Sequence, residues 1–248
     1  HKEKIDDSGV YMDSNYLTGS YIKSKVKTGD PKGFYFRQNS AASHIDICDM
    51  KKTNFENAKI LHVSGITAAL SKSSQEACFW AIEKAQQCKM KVTFDPNIRR
   101  NLWKSEEEMR SVLNRIAFRS EIILPGIAEG KILTKKERVE DIADFYLEKG
   151  VQVVVIKLGA LGAYYKTSDG VGAYVKGFSV SRVIDTIGAG DAFASGFLSG
   201  ILENLSIHDS VVRGNAMGAI IVTSKTDNHD LPTKLELEEY LEHVRLLA

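Results

Sequence analysis

The spacing of apolar and polar residues changes character near residue 60. Before it the chain is polar and irregular, with two short alternating pieces at 21–27 and 33–37 that read as strands. Thr28-Gly29-Asp30-Pro31 between them is a turn signal. From Ile60 onward compact apolar runs alternate with helical periodicity. Residues 60–65 form a buried-type strand, and 74–89 a helix with Ala77, Ala81, Ile82 and Ala85 on one face. Residues 91–94 make the next strand, and Ser105-Glu106-Glu107-Glu108 is a capping box that opens a helix. A strand at 121–124, a helix at 139–149 and the most apolar strand, 151–156, follow. Short strands with glycine turns occupy 162–180, and helices are expected after Asp191, over 207–225 and after Pro232.

Alternation of strand and helix from 60 to 157 predicts an α/β protein, a parallel sheet covered by helices on both faces. Ligands of such sheets bind at the carboxyl ends of the strands. That rule aligns Gly65, residues 95–99, residues 125–129 and residues 157–159 along one rim.

The segment Asp185-Thr186-Ile187-Gly188-Ala189-Gly190-Asp191, followed by a helix of small residues, is suited to join that rim. A helix start carries N–H groups without intrahelical partners and partial positive charge. Glycine lets backbone approach a ligand closely. The segment thus reads as a phosphate cradle with the Asp191 carboxylate at its edge. A base beside an anion cradle is the minimum equipment for moving a phosphoryl group onto a hydroxyl. The bland reading is a loop with a capping aspartate.

Composition excludes other classes. The 248 residues, 43% apolar and 26% charged, suit a soluble globular protein of one large domain or two small ones. A net charge of +1 gives no sign of nucleic acid or an anionic membrane as partner. No apolar run approaches ~18 residues, and no signal-peptide pattern is seen. Cys48, Cys78 and Cys88 are widely spaced and odd in number, so we expect reduced thiols and a cytoplasmic protein.

The remaining motifs each have two readings. Asp95-Pro96-Asn97-Ile98-Arg99-Arg100 is either a ligand-facing rim with a charge-neutralising arginine or a proline turn with solvated arginines. Lys157-Leu158-Gly159-Ala160-Leu161-Gly162 is a hairpin turn or a nucleotide-facing turn; it is not a P-loop. Glu129 either holds a hydrated Mg²⁺ or satisfies a helix dipole. Ala192, Gly196 and Gly200, and then Gly214 and Gly218, recur at intervals of four, which implies close helix packing with a nucleotide slot as a secondary effect. Tyr21, Tyr35 and Arg37 either grip a small acid or belong to a half-exposed hairpin.

Taken together these pieces resemble the ribokinase-like (PfkB) family of sugar kinases. Residues 185–191 match its Asp-Thr-x-Gly-Ala-Gly-Asp signature, and Lys157-Leu158-Gly159 with Gly162, Asn215 with Gly218, and Leu231-Pro232-Thr233 fall at corresponding points. The resemblance runs from about Thr18 to the end of the chain. It implies a three-layer α/β/α fold with a mostly parallel sheet and a small β lid. Residues 1–43 would be lid and N-terminal remnant, and 44–248 the nucleotide-binding core.

Within the family the chain is most similar to 2-keto-3-deoxygluconate kinases, on Thr18-Gly19-Ser20-Tyr21, residues 35–43, Ser64-Gly65-Ile66-Thr67, and residues 95–99 with Leu102-Trp103. The resemblance implies that Tyr21, Tyr35, Arg37, Arg99, Asp191 and Asp227 contact the sugar acid. A guanidinium fork suits its carboxylate. The implied ATP set is Asn97, Arg99, Lys157, Gly159, Gly162, Gly188, Gly190, Asn215 and Gly218. Gly188, Ala189 and Gly190 would form the anion hole, Asp191 the general base, and Glu129 a water-mediated Mg²⁺ site.

Two departures stand out. The family's opening strand and Gly-Gly-x-x-x-Asn-x-Ala segment do not precede Thr18, and the chain opens with His1. Roughly 50–70 residues are therefore expected to be absent, judged against typical domain sizes. The family's Asn-x-x-Glu reads Gly126-Ile127-Ala128-Glu129 here, a trait shared with the keto-deoxygluconate subgroup. The rival expectations are a kinase of a neutral sugar, such as a fructokinase or ribokinase, and a non-catalytic nucleotide- or sugar-binding fragment. A homodimer through the lid sheet is also expected, because exposed strand edges need cover.

Overall fold

The computed structural model describes residues 5–23, 33–224 and 231–247. They divide into two compact units, one ending at Glu121 and one beginning at Ile122.

The first unit carries an antiparallel pair, β1 (Ser20–Lys23) and β2 (Gly33–Phe36). The turn expected at 28–31 lies outside the described residues. Further on, β3 (Ile60–Ser64) and β4 (Lys91–Asp95) pair in parallel, with Ser64 opposite Asp95. Helix α1 is Ile47–Lys52, α2 Gly65–Leu70, α3 Lys72–Gln87 and α4 Glu106–Ala117. On α3 the expected apolar face is buried, and Ile82 and Ala85 have no exposure at all.

Side-chain caps fix these helix starts. Ser71 accepts the Ser74 N–H at 3.0 Å, so α3 opens two residues earlier than its apolar rhythm suggests. Ser105 caps α4 as expected, accepting the Glu108 N–H at 3.0 Å. The Glu108 carboxylate reaches back to the Lys104 N–H, one residue beyond the box the sequence implies.

Gly65 is the tightest point of this unit. The strand β3 turns directly into α2 there, and Ser64 caps the helix through the Ile66 N–H. A Cβ on Gly65 would lie 2.0 Å from the Pro96 carbonyl oxygen and 2.9 Å from Leu113. The sequence reads residue 65 as the last of a strand; its function is to let the loop after β4 cross the start of α2.

The second unit holds β5 (Ile122–Ile123), β6 (Val153–Lys157), β7 (Gly162–Thr167) and β8 (Gly172–Lys176). The β5–β6 pair is parallel, and β6–β7 and β7–β8 are antiparallel. Pro125 and Gly126 extend the parallel ladder past β5, with the Pro125 carbonyl accepting the Lys157 N–H at 2.9 Å. The helices are α5 (Ile127–Thr134), α6 (Val139–Leu147), α7 (Ala189–Leu202), α8 (Ile207–Val222) and α9 (Lys234–Leu247). Leu124, Val155, Phe197 and Val211 anchor its buried core.

Helices α7 and α8 meet through the small-residue rows. A Cβ on Gly196 would fall 2.7 Å from Met217 Cγ and 2.8 Å from the Arg213 carbonyl oxygen. One on Gly200 would fall 2.6 Å from Ser210 Oγ. Among the described residues no helix is long and apolar enough to cross a membrane.

Replacing Gly65 with alanine drives a methyl against backbone that cannot rotate away. Urea unfolding should show Gly65→Ala losing about 1–3 kcal/mol, as overpacked sites do. Gly9→Ala, where nothing lies within 4 Å, should stay within about 0.5 kcal/mol of the parent. Equal midpoints for the two variants would refute this account of the turn.

Candidate active site

The bend before α7 is built from local bonds. Asp185 Oδ1 accepts the Ile187 N–H at 2.9 Å. The Ile184 and Asp185 N–H groups both donate to the Val222 carbonyl, at 2.7 and 3.3 Å, which ties the bend to the last turn of α8. Gly188 then takes φ 83°, a left-handed conformation that side chains disfavour, and its carbonyl accepts the Ala192 N–H at 2.8 Å as the first bond of α7.

Gly190 and Asp191 therefore stand in the first turn of α7. A negative charge is favourable at this end of a helix. Of the three amides expected to form an anion hole, that of Ala189 bonds back to the Thr186 carbonyl at 3.3 Å. Gly190 sits where the helix supplies no carbonyl one turn earlier. A Cβ on Gly190 would be 3.6 Å from Lys157 Nζ, so an ammonium group lies against this glycine.

Beside the bend is a cavity of about 280 Å³. Of the residues expected at the nucleotide, Lys157, Gly159, Gly162, Gly190, Asn215 and Gly218 all line it. Gly188 and Asp191 flank that lining, and Asp191 is exposed to solvent. Asn97 and Arg99 belong to the first unit, whereas this lining is drawn entirely from the second.

Sequence reasoning missed part of the cavity wall. Phe178, Val180 and Val183 come from the irregular stretch between β8 and α7, and Ala219 and Val222 from α8. Scattered apolar residues in a loop carry no periodicity, so no pattern marks them. Asn215 was expected as a nucleotide contact. Its side-chain amide donates to the Val175 and Lys176 carbonyls at 3.2 and 3.3 Å, so it holds the end of β8 in place.

Glu129 Oε2 accepts the Gly126 N–H at 2.8 Å and so satisfies a backbone donor at the start of α5. Among the described residues no group of three or more His, Cys, Asp or Glu side chains is arranged to hold a metal. Asp227 lies outside the described residues.

The expected acid-binding side chains converge in the first unit. Tyr21 and Tyr35 are directly opposite each other in the β1–β2 register, and their rings stack with centroids 5.6 Å apart. The Arg37 guanidinium carbon lies 4.2 Å from the Tyr35 ring centre. Burial lowers the Arg37 pKa from its ordinary value; Tyr35 opposes this, and the positive charge of Arg99 adds to it. Arg99 folds back to donate to the Asn97 and Ile98 carbonyls at 3.4 and 3.0 Å. Asn97 itself has φ 40° and donates its N–H to Asp95 Oδ1 at 3.2 Å. No carboxylate among the described residues forms an ion pair with Arg37 or Arg99, leaving two cations whose fields add.

Comparison with known proteins follows this geometry. The chain is 43% identical to a 2-dehydro-3-deoxygluconokinase of Bacillus subtilis (strain 168), over 97% of this chain and 74% of that protein. A PfkB protein from Polaromonas sp. JS666 shares the fold with a TM-score of 0.85 at 38% identity, covering 96% of this chain and 76% of that one. A fructokinase double mutant from Vibrio cholerae O395, solved with fructose, ADP and potassium ion, gives a TM-score of 0.88 at 26% identity over 97% and 78%. These likenesses identify the three-layer α/β/α ribokinase-like fold that the family resemblance implies, with the sheet covered on both faces as the alternation predicts. The model of the pfkB family carbohydrate kinases matches residues 1–234, and the chain belongs to that family of sugar kinases.

Proposed function

We propose that the protein transfers the γ-phosphoryl group of ATP to a hydroxyl of 2-keto-3-deoxygluconate, giving 2-keto-3-deoxy-6-phosphogluconate. The observation that carries the reaction is the left-handed bend at Gly188, which sets an exposed carboxylate, Asp191, on the first turn of α7 beside the cavity that Lys157 lines. The observation that favours an acid over a neutral sugar is Arg37, which lies over the Tyr35 ring within the field of Arg99 and forms no ion pair with a carboxylate among the described residues. The 43% identity to a 2-dehydro-3-deoxygluconokinase points the same way.

In this reading Asp191 accepts the hydroxyl proton while the oxygen attacks the γ-phosphorus, and the bond to the departing β-phosphate oxygen breaks, releasing ADP. Charge on the transferring group meets the N–H groups of Gly188, Ala189 and Gly190 and the ammonium of Lys157. The Ala189 amide is shared with Thr186, so Gly190 carries more of this load. The apolar stretch of the cavity suits a base, and its amides and ammonium suit phosphates. Arg37 and Arg99 clamp the carboxylate, and the tyrosines orient the acceptor chain. Positioning and electrostatics supply most of the acceleration for this class of transfer.

Mg²⁺, when bound, neutralises charge on the phosphate oxygens. Glu129 fits a water-mediated role, because this ion keeps several waters and Glu129 already accepts the Gly126 N–H. We place the reaction in the cytoplasm, consistent with three free cysteines.

The β1–β2 pair also offers a face for a second copy of the chain. Ile22, Phe34 and Phe36 point away from the tyrosine face and are 61%, 57% and 57% exposed. Apolar side chains on a two-stranded sheet need cover, and an identical sheet supplies it.

Three outcomes are expected. Asp191→Asn should lower kcat by ~10²–10⁴ while MgATP binding stays within about twofold of the parent; near-normal turnover would remove the assigned base. Arg37→Met should raise KM for 2-keto-3-deoxygluconate roughly tenfold to a hundredfold, the loss expected of a charge-assisted pair. A wild-type preference for fructose or ribose over the keto acid would instead establish a neutral-sugar kinase. The double change Phe34→Ser with Phe36→Ser should sediment as a monomer where the parent sediments as a dimer.

A further inference from the structure

We propose that Tyr240, on the terminal helix and outside the cavity, sets the enzyme's affinity for its nucleotide by holding the Phe178 ring in place. The proposal rests on the reading of the cavity as the ATP site.

Phe178 lines the cavity, yet no helix or strand carries it. It lies just beyond β8, in the irregular stretch that runs to α7. Its ring meets that of Tyr240 edge to face, with centroids 5.7 Å apart and planes at 63°. Both belong to a cluster built on Ala192, Ala216, Met217, Ile221 and Leu237, buried where α9 packs on α7 and α8. The cavity wall is thus backed by a side chain from α9.

The terminal helix is itself well located. Thr233 and Glu236 cap its start reciprocally, with the Thr233 N–H donating to Glu236 Oε2 at 2.7 Å and the Glu236 N–H to Thr233 Oγ1 at 3.3 Å. Lys234 Nζ lies 3.0 Å from Glu203 Oε1, and the Arg213 guanidinium of α8 reaches the same carboxylate at 3.0 Å. A fixed helix presents a fixed ring. An edge-to-face partner restricts the tilt of Phe178, and a wall that need not be ordered on binding costs the ligand less. Tyr240 does not line the cavity, so its role is positioning.

The test is a double-mutant cycle on Phe178→Leu and Tyr240→Leu, with MgATP affinity read by calorimetry and KM read separately for ATP and for the sugar acid. Tyr240→Leu should weaken MgATP binding and raise KM for ATP roughly three- to tenfold, the range of one aromatic pair, with kcat and the acceptor KM within about twofold. Tyr240→Phe should restore parental values, since the ring and not the hydroxyl is used. The double variant should bind no more weakly than Phe178→Leu alone, because one residue acts through the other.

Additive losses, equal shifts in both KM values, or a folded Tyr240→Leu with parental MgATP affinity would overturn the proposal. Should Tyr240→Leu not fold, the same comparison between Phe178→Leu and Phe178→Leu with Tyr240→Phe decides it: a further loss from removing the hydroxyl refutes the ring's role. A parent protein that binds no MgATP would sink the nucleotide reading itself, an outcome distinct from any of these.

Discussion

The contact between α7 and α8 is the constraint on which the site depends. Three glycines remove side chains where the two helices cross, and a Cβ on Gly214 would meet Phe193 at 3.0 Å. Backbones this close leave little room for sliding, since interiors are packed to crystal-like density. Helix α8 then acts as a template. Gly214 fixes its distance from α7, Asn215 pins the end of β8, Gly218 opens the cavity, and Val222 accepts two N–H groups from the bend. These positions are spaced one, three and four residues apart, so they lie along one helix segment. The Gly188 bend is therefore tied at its start to an element that also lines the cavity.

The cluster of Tyr21, Tyr35, Arg37 and Arg99 is held on a different principle. Its side chains stand on short strands and a loop, and their arrangement comes from ring stacking and charge instead of close backbone packing. Arg37 lies over Tyr35, an attraction stronger where water is partly excluded. The neighbouring Arg99 offsets that gain through like-charge repulsion. Among the described residues no carboxylate forms an ion pair with either guanidinium, so the like charges of Arg37 and Arg99 are not offset there.

Much of this was legible in the chain. Apolar rhythm located α3 and β6, the capping box at Ser105 located α4, and the glycine-rich bend announced α7, which begins at Ala189, two residues before the expected Asp191. The rows at 196, 200 and 214 announced a close helix contact and met it. Other features were hidden for definite reasons. Helices α1 and α2 span six residues each, too few for periodicity to register. The cap at Ser71 outranked the apolar pattern in setting where α3 begins. Glu129 and Asn215 were visible as polar residues at the right places, but their bonds to Gly126 and to the end of β8 depend on backbone positions that no spacing encodes. The wall formed by Phe178, Val180 and Val183 belongs to an irregular segment, where composition says nothing about direction.

The terminal helix shows how far from the bend the site's determinants extend. Two kinds of contact attach α9: an ion pair from Lys234, which is well exposed, to Glu203, and the apolar row of Leu237, Tyr240 and Leu241. Exposed pairs of long side chains contribute little, because holding both chains costs entropy and salt screens them. Arg213 is different, being 8% exposed and bonded to both Ser199 and Glu203. Its guanidinium holds the Glu203 carboxyl below the usual range, and a buried arginine left without that partner would be strongly destabilising. Glu203 thus serves the α7–α8 contact first and α9 only secondarily. The apolar row is what docks α9, and that row is continuous with Phe178 at the cavity. A helix attached by contacts shared with a binding wall cannot shift without moving that wall, which is why a residue at position 240 bears on a site built around residue 190.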